Sequence, residues 1–311
     1  MTAITIPTLT RKTTMATAAA TRKNMKEGSM ADTDMADVTV YTKPAEPKIK
    51  VPKFVTNVIP GLISLVCGLA IWTFVSTYVL GQRAFLLPAP AKVLTGSLML
   101  PDHFAPMMTA LLLTTRVALF GLLLAFIIGV VTAIIMKHSK LAEKAIYPYA
   151  VILQTIPVLA LVPLIGLWFG YGFASRTTVC VLFTLFPIIS NTLFGLQNID
   201  QGMVDLFQTR QASFRQRLWM LELPAALPSI FTGLKTSSGL SVVGAVVADM
   251  YFTQGTPGIG TLITVYTSRL QSTDLFAAIV MSAVLGLIVF EVFNKLSDMV
   301  IAHWHLTRSH E

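Results

Sequence analysis

Long apolar runs separated by short polar segments fill the chain after residue 53. A helix needs about 20 consecutive, mostly apolar residues to cross the hydrocarbon core of a bilayer. Six runs fit this requirement, so the pattern predicts an all-α membrane domain over residues 54–304. The predicted transmembrane helices lie at residues 58–80, 109–136, 145–169, 177–198, 225–249 and 275–298.

The composition narrows the class of protein. Hydrophobic residues make up 54% of the 311 residues and charged residues 12%, about half of the charged share of soluble domains. The mean hydropathy is +0.70. These values exclude a disordered chain and argue against a soluble enzyme. Cys67 and Cys180 both lie in apolar runs, which favours small apolar residues over a disulfide or a thiolate metal site.

Residues 1–53 differ from the rest of the chain. They are rich in Thr, Ala, Met and Lys, carry nine basic residues and contain no apolar run of signal-peptide length. We interpret them as a disordered cytoplasmic tail. Because the first acidic residue is Glu27, an organelle transit peptide is the alternative interpretation.

The placement of Lys and Arg indicates the orientation, because cytoplasmic loops carry an excess of both. With a cytoplasmic N-terminus, eight basic residues outside the tail fall on the inner side and four, including Arg176, on the outer side. Both termini are therefore predicted to be cytoplasmic. Arg116 and Lys235 lie inside predicted helices, and we expect their long side chains to reach an interface.

The sequence shows no motif for catalysis or cofactor binding. A P-loop needs a glycine directly before its lysine, but Leu234 precedes Lys235. His303 and His305 have no third ligand near them in the sequence, which argues against a metal site. We therefore expect no catalytic residue, no metal and no cofactor. A membrane-embedded enzyme would need clustered histidines or acids at one membrane face, and the sequence offers no such cluster.

Polar residues inside the predicted helices have two interpretations. Some lie beside prolines, which free backbone groups that need partners or water. Others lie on a stripe of small residues four apart, which lets helices approach closely. These residues either line a translocation pathway or hold helices together. The pathway candidates are Gln154, Ser190, Asn191, Ser237 and Ser241.

The polar segment 199–224 between the fourth and fifth predicted helices is amphipathic. Leu206, Phe207 and Phe214 supply its apolar positions, and Pro224 marks the entry to the next span. This pattern predicts a docking element for a cytoplasmic partner. A helix lying on the bilayer surface is the alternative.

The same segment resembles the cytoplasmic "EAA" loop of binding-protein-dependent ABC importer permeases. The family pattern is Glu-Ala-Ala, three residues, Gly, nine residues, Ile-x-Leu-Pro. Leu223 and Pro224 match its end, and Leu221 stands in for Ile. The departures are Asp205 for Glu, Leu206 and Phe207 for the two alanines, and Gln211 for Gly.

Other stretches resemble the permease subfamily for nitrate, sulfonate, taurine and vitamin precursors. They are residues 85–90, 154–170, 186–192, 223–228, 231–235, 244–249 and 255–260. The resemblance covers about residues 55–300, which leaves only the N-terminal tail outside it.

The resemblance implies a type I ABC importer permease fold in a bacterial inner membrane. Two permease subunits would form the pathway, two separate ATP-binding cassette subunits would hydrolyse ATP, and a periplasmic or lipid-anchored binding protein would deliver a small solute. A chain without a P-loop agrees with this arrangement. The implied ATPase-coupling residues are Asp205, Gln211, Ala212, Ser213, Phe214, Leu221, Leu223 and Pro224.

A stand-alone secondary transporter or channel is the main alternative. It would need an internal repeat or an acid for a coupling ion near the centre of a span, but Asp249 and Glu291 lie toward span ends. The substrate is open between a small organic anion and a vitamin-like compound, and general likeness of residues 254–260 and 266–273 leans toward the latter. A homodimer and a heterodimer are both open.

Overall fold

The computed structural model describes residues 53–83 and 85–305. The predicted tail, apart from its last residue, lies outside them. The chain divides into the units Met1–Val58 and Ile59–Glu311, and the description below concerns the second. Its α-helices, with α1 starting in the first unit, are α1 Lys53–Phe74, α2 Pro90–Val93, α3 Pro101–His138, α4 Lys140–Thr155, α5 Val158–Phe169, α6 Phe173–Gln197, α7 Gln201–Thr209, α8 Phe214–Arg217, α9 Leu223–Tyr251, α10 Ile259–Ser268 and α11 Ser272–His305.

The prediction of an all-α membrane protein with about six spans is confirmed. Within residues 53–83 and 85–305, five helical segments are long and apolar enough to cross a bilayer, and a bent helix pair brings the number to six. The five are Ile59–Val79, Pro101–His138, Phe173–Gln197, Phe214–Tyr251 and Ser272–Ile301. The fourth contains α8, the π-helical turn Leu218–Glu222 and α9 without interruption.

The third predicted span, residues 145–169, differs from the observed structure. It falls into α4 and α5, which meet at an angle of 104°. Pro157 has no backbone N–H and forces the residue before it out of the helical region. Ile156 accordingly has φ −66° and ψ 131°, an extended conformation. The sequence shows one uninterrupted apolar run, but Pro157 divides that run into two helices.

Helix α9 packs closely against α6 because small residues line the contact. A Cβ added at Gly244 would lie 3.1 Å from the Cα of Cys180, and one added at Gly233 would lie 2.9 Å from the carbonyl oxygen of Pro187. Close backbone approach of this kind is typical of helix pairs in lipid. Cys180 is buried, as expected for a small apolar residue, and Cys67 is exposed on α1.

The two ends of the bundle are distinct. The loop end carries residues 198–224, and the far end carries the connection 252–258 between α9 and α10.

The two basic residues within the predicted helices have different surroundings. Lys235 places its Nζ 5.3 Å from the ring centroid of Phe290, a cation–π contact. Arg116 is exposed and borders a cavity of about 410 Å³ next to Thr256 and Pro257 at the far end.

Candidate functional site

The segment predicted to dock a partner forms two capped helices at the loop end. Asp200 begins α7, because its carboxylate accepts a hydrogen bond from the Met203 amide at 3.2 Å. A capping box begins α8: the Ser213 hydroxyl accepts from the Gln216 amide at 3.3 Å, and the Gln216 side chain accepts from the Ser213 amide at 2.8 Å. These caps satisfy backbone donors that would otherwise be unpaired and so fix where each helix starts.

Large apolar side chains of this segment face outward. Met203, Leu206 and Phe214 are 46%, 49% and 52% exposed. Asp205 is also exposed, and its carboxylate accepts a hydrogen bond from the Gln201 amide group at 3.2 Å. The surface formed by these four side chains is called the docking surface below.

Gln211 occupies the position where the family pattern has glycine, and its backbone explains that pattern. Its φ is +52°, in the left-handed region that glycine adopts without steric cost. Its amide donates to the Gln208 carbonyl at 2.9 Å, and the amide of half-buried Ala212 donates to the Phe207 carbonyl at 3.0 Å. The turn between α7 and α8 therefore has a positive φ at the position where the family pattern has glycine.

A buried acid that the sequence reasoning missed lies at the base of this segment. The side chain of Glu222 is 4% exposed; its Oε1 lies 2.8 Å from Nε of Arg217, and its Oε2 lies 3.1 Å from Nε2 of His138. His138 is the last residue of α3, so this loop-end cluster joins α3 to the helical segment that contains Arg217 and Glu222. Glu222 is the unspecified residue of the Ile-x-Leu-Pro pattern, which is why the pattern did not single it out.

Phe214 connects the docking surface to the loop-end cluster. Its ring meets the imidazole of His138 edge to face, with centroids 4.6 Å apart. The other imidazole nitrogen, Nδ1, lies 2.9 Å from the Ile134 carbonyl oxygen. One side of Phe214 is thus held by α3 while the ring stays half exposed.

The last three predicted coupling residues lie where the segment enters the membrane domain. Leu221 is buried, and Leu223 packs on a core cluster contributed by α3, α4, α6 and α9. Pro224 lies in the first turn of α9, which continues directly from the π-helical turn Leu218–Glu222. These residues attach the segment to the bundle and do not belong to its exposed surface.

Two pathway candidates line a cavity of about 870 Å³ between α4 and α6 at the loop end. Both are half-buried. The Ser190 hydroxyl donates a hydrogen bond to the Pro187 carbonyl oxygen at 3.4 Å, and the Asn191 side-chain amide donates to the same oxygen at 2.8 Å. Across the cavity opening, the Gln197 amide group donates to the Glu143 carboxylate at 2.8 Å. The lining also includes Lys140, Lys144, Tyr147, Pro148, Leu193 and Phe194.

The other three pathway candidates are placed differently. Gln154 is exposed near the end of α4. Ser237 and Ser241 are completely buried; Ser237 donates to the Thr184 carbonyl on α6 at 2.9 Å, and Ser241 donates to the Ser238 carbonyl at 2.8 Å. This placement supports the packing alternative for the two serines.

The far end holds a second buried charge cluster. The sequence places Arg176 among the basic residues of the outer side, but its side chain is only 3% exposed. Its Nη1 lies 3.1 Å from Oδ1 of Asp249, and the Asp249 side chain is fully buried. The Thr114 hydroxyl donates to the other Asp249 oxygen at 2.5 Å. The pair therefore ties α6 and α9 to α3.

The same arginine fixes the connection between α9 and α10. Its Nη2 donates to the carbonyls of Phe252 and Gln254 at 2.5 and 3.2 Å, and its Nη1 donates to that of Thr256 at 3.2 Å. The Ile259 amide, at the start of α10, donates to Thr114 Oγ1 at 2.9 Å. The guanidinium thus holds a short irregular segment whose carbonyls would otherwise need other partners.

Among the side chains that the structure describes, no group of three or more His, Cys, Asp and Glu residues is placed to hold a metal ion.

Comparison with known proteins gives consistent matches. Residues 121–300 match the family described as binding-protein-dependent transport system inner membrane component. The formylaminopyrimidine transport permease protein ThiX of Halalkalibacterium halodurans is 33% identical over 75% of this chain and 91% of its own length. The riboflavin transport system permease protein RibX of Chloroflexus aurantiacus is 32% identical over 72% of this chain and 82% of its own. The taurine transport system permease protein TauC of Escherichia coli is 27% identical over 76% and 86%.

These matches agree with the resemblance seen in residues 205–224 and its flanks, and they give no support to a stand-alone secondary transporter. The chain belongs to the inner-membrane component family of binding-protein-dependent transport systems: it is a multi-pass permease subunit of an ABC importer.

Proposed function

We propose that the docking surface binds a separate ATP-hydrolysing subunit and that the loop end faces the cytoplasm. The observation that carries this proposal is the half exposure of Met203, Leu206 and Phe214 on two helices whose N-termini are capped. An apolar surface rimmed by polar residues is typical of an interaction site, and an amphipathic helix that fits a partner groove is a common mode of recognition.

Asp205 supplies the charged part of the proposed contact. It is exposed and lies one residue from Leu206, and its hydrogen bond to Gln201 leaves acceptor capacity on the carboxylate. A basic side chain of the ATPase would complement it. Rim charges of this kind mainly set orientation and the rate of association.

The α4–α6 cavity is proposed as part of the solute path on the cytoplasmic side. Its volume of about 870 Å³ lies within the range of small-molecule sites, about 300–1,000 Å³. Ser190 and Asn191 offer neutral hydrogen-bonding groups, and Lys140 and Lys144 add positive charge while Glu143 is engaged by Gln197. Polar and charged groups within a membrane domain commonly mark a transport path.

The proposed solute is a small organic anion or a vitamin-like compound, delivered by a binding protein at the far end. The relatives named for formylaminopyrimidine, riboflavin and taurine support this range. A second permease subunit, identical or different, would complete the path, and a transport subunit of this kind hydrolyses no ATP itself.

Co-purification of the full chain with the ATPase encoded beside it tests the docking proposal. Phe214→Asp and Asp205→Arg are expected to abolish or strongly weaken the complex. Leu141→Asp is the matched control, because Leu141 is 80% exposed at the loop end but lies on α4, outside the docking surface.

ATP hydrolysis by the complex in proteoliposomes, with and without candidate binding proteins, tests the rest of the proposal. Stimulation by a binding protein loaded with riboflavin, a formylaminopyrimidine or taurine identifies the solute class. An intact complex in both docking variants, or hydrolysis that no binding protein stimulates, contradicts the proposal.

A further inference from the structure

The loop-end cluster does more than anchor the docking segment, because its histidine belongs to a different part of the chain. His138 is 84 positions before Glu222 in the sequence, yet its Nε2 lies 3.1 Å from the Glu222 carboxylate. Its ring also contacts Phe214, with centroids 4.6 Å apart. Two independent contacts therefore join the end of α3 to the segment that carries the docking surface.

A single residue separates α3 from α4. Helix α3 ends at His138, α4 begins at Lys140, and Ser139 between them has φ −135° and ψ 106°, an extended conformation. The Ser139 hydroxyl accepts from the Ala142 amide at 3.2 Å, and its carbonyl accepts from the Glu143 amide at 2.9 Å. This one-residue connection, with both of its hydrogen bonds directed into α4, places His138 directly beside the first turn of α4 in the chain.

The first turns of α4 form one wall of the α4–α6 cavity. Lys140, Glu143 and Lys144 line that wall, and the bond from Gln197 to Glu143 connects it to the opposite wall on α6. The contacts thus run without a gap from Phe214 and Glu222, through His138 and Ser139, to the opening of the cavity.

The acid of this connection is shielded from water. Glu222 is 4% exposed at its side chain and lies in a π-helical turn, Leu218–Glu222, an irregularity often found at functional positions. A buried carboxylate keeps its partners, because separating them would leave an uncompensated charge in an apolar environment. We infer that His138 and Glu222 form a mechanical link through which movement of the docking segment displaces α4 and changes the opening of the α4–α6 cavity. Both are positioning residues, and the inference rests on the proposed docking function.

The test needs a readout of the cavity that does not depend on knowing the solute. Ser190→Cys places a thiol in the lining, and Cys67→Ala removes the exposed native cysteine, while Cys180 is fully buried. The complex of this full chain with its ATPase is exposed to a membrane-impermeant maleimide, first without nucleotide and then after trapping with MgATP and vanadate. Trapping is expected to change the labelling rate by about five-fold or more, the lower range of coupling between distant sites.

Glu222→Gln and His138→Leu are expected to reduce that change to less than about two-fold while the ATPase still co-purifies. The double variant should respond like either single variant, because residues of one link are not additive. Glu291→Gln is the control: this exposed acid lies 4.0 Å from Lys295 on α11, away from the link. It should respond like the parent chain.

A second pair of substitutions covers the case in which Glu222→Gln destabilises the fold. Glu222→Met with Arg217→Leu removes both charges together, which avoids an unpaired buried ion. The same loss of response is expected. A parent-like response in this pair, or in Glu222→Gln and His138→Leu, overturns the link.

Loss of the ATPase from the link variants also overturns the inference, since the residues would then support docking and not transmission. Failure of the proposed function gives a different result. No ATPase then co-purifies with the parent chain, and the labelling rate of the parent chain is the same with and without nucleotide.

Discussion

The guanidinium of Arg176 lies 3.1 Å from the carboxylate of Asp249, and both side chains are almost completely buried although 73 residues separate them in the sequence. The pair closes the far end of the bundle, since three carbonyls of the α9–α10 connection bind the same arginine. Its energetic role differs from that of an exposed ion pair, because removal of one partner leaves a charge without water or a counter-ion.

Arg176→Gln or Asp249→Asn is therefore expected to destabilise the folded chain by about 3–5 kcal/mol. The apparent melting temperature in detergent measures the effect. Lys295→Gln is the control, because Lys295 forms only an exposed pair with Glu291 at 4.0 Å, and such pairs contribute about 0–1 kcal/mol.

Replacing both partners tests the physical cause. Arg176→Met with Asp249→Leu is expected to cost less than either single change, because two apolar side chains leave no buried charge. A double variant as unstable as the sum of the single variants would show that the carbonyl contacts of Arg176, and not the ion pair, dominate.

The turn at Gln211 predicts a gain in stability from the residue that the family pattern prefers. Gln211→Gly removes the strain of a side chain at φ +52°, and the expected gain is of order 1 kcal/mol. Gln211→Val should lose a similar amount, because a β-branched residue is poorly tolerated at positive φ. Amide hydrogen exchange over residues 207–214 is expected to slow in the first variant and to accelerate in the second.

Two glycines of α9 offer a matched pair for the packing of the helices. Gly244→Ala would place a Cβ 3.1 Å from the Cα of Cys180, whereas nothing lies within 4 Å of a Cβ at Gly239. Overpacking at the first position is expected to cost about 1–3 kcal/mol. At the second, alanine is a better helix former than glycine by about 1 kcal/mol, so thermal stability should hold or rise. Equal effects at both positions would contradict the close α6–α9 contact.

Thiol accessibility separates the two interpretations of the polar residues within the helices. Ser190→Cys is expected to react with a water-soluble maleimide, because Ser190 lines the α4–α6 cavity. Ser241→Cys should be unreactive in the same conformation, since Ser241 is completely buried. Labelling measured with nucleotide absent, in chains that also carry Cys67→Ala to remove the exposed native thiol, is the check. A reactive thiol at position 241 would favour the pathway interpretation of Ser241.

Much of the fold follows from residue order alone. Apolar runs gave the helical spans, because the length needed to cross a bilayer is a strong and local constraint. The segment 199–224 was also distinguished from the rest of the chain, since its spacing is amphipathic and Leu223 and Pro224 match the family pattern although other positions differ from it.

The two buried charge clusters could not be predicted from the order of residues. Arg176 follows a glycine-containing turn and looked like an outer-loop cation, and Glu222 stood at an unspecified position of a motif. Their partners, Asp249 and His138, come from other helices and are known only once the helices pack. The burial of Ser237 was hidden for the same reason, because composition alone does not say which face of a helix a neighbour covers.

The break between α4 and α5 has a consequence for how a polar position in this membrane domain can be found. Where one helix ends and another begins, the last carbonyls and the first amides have no partners within their own helices, and lipid supplies none. The carbonyls of the last turn of α4 and the amides of the first turn of α5 therefore bring hydrogen-bonding capacity into a run of apolar side chains. Alanine substitution leaves these main-chain groups in place, so alanine scanning would not detect their contribution. Replacing a backbone amide near the break with an ester removes an N–H donor and would detect it.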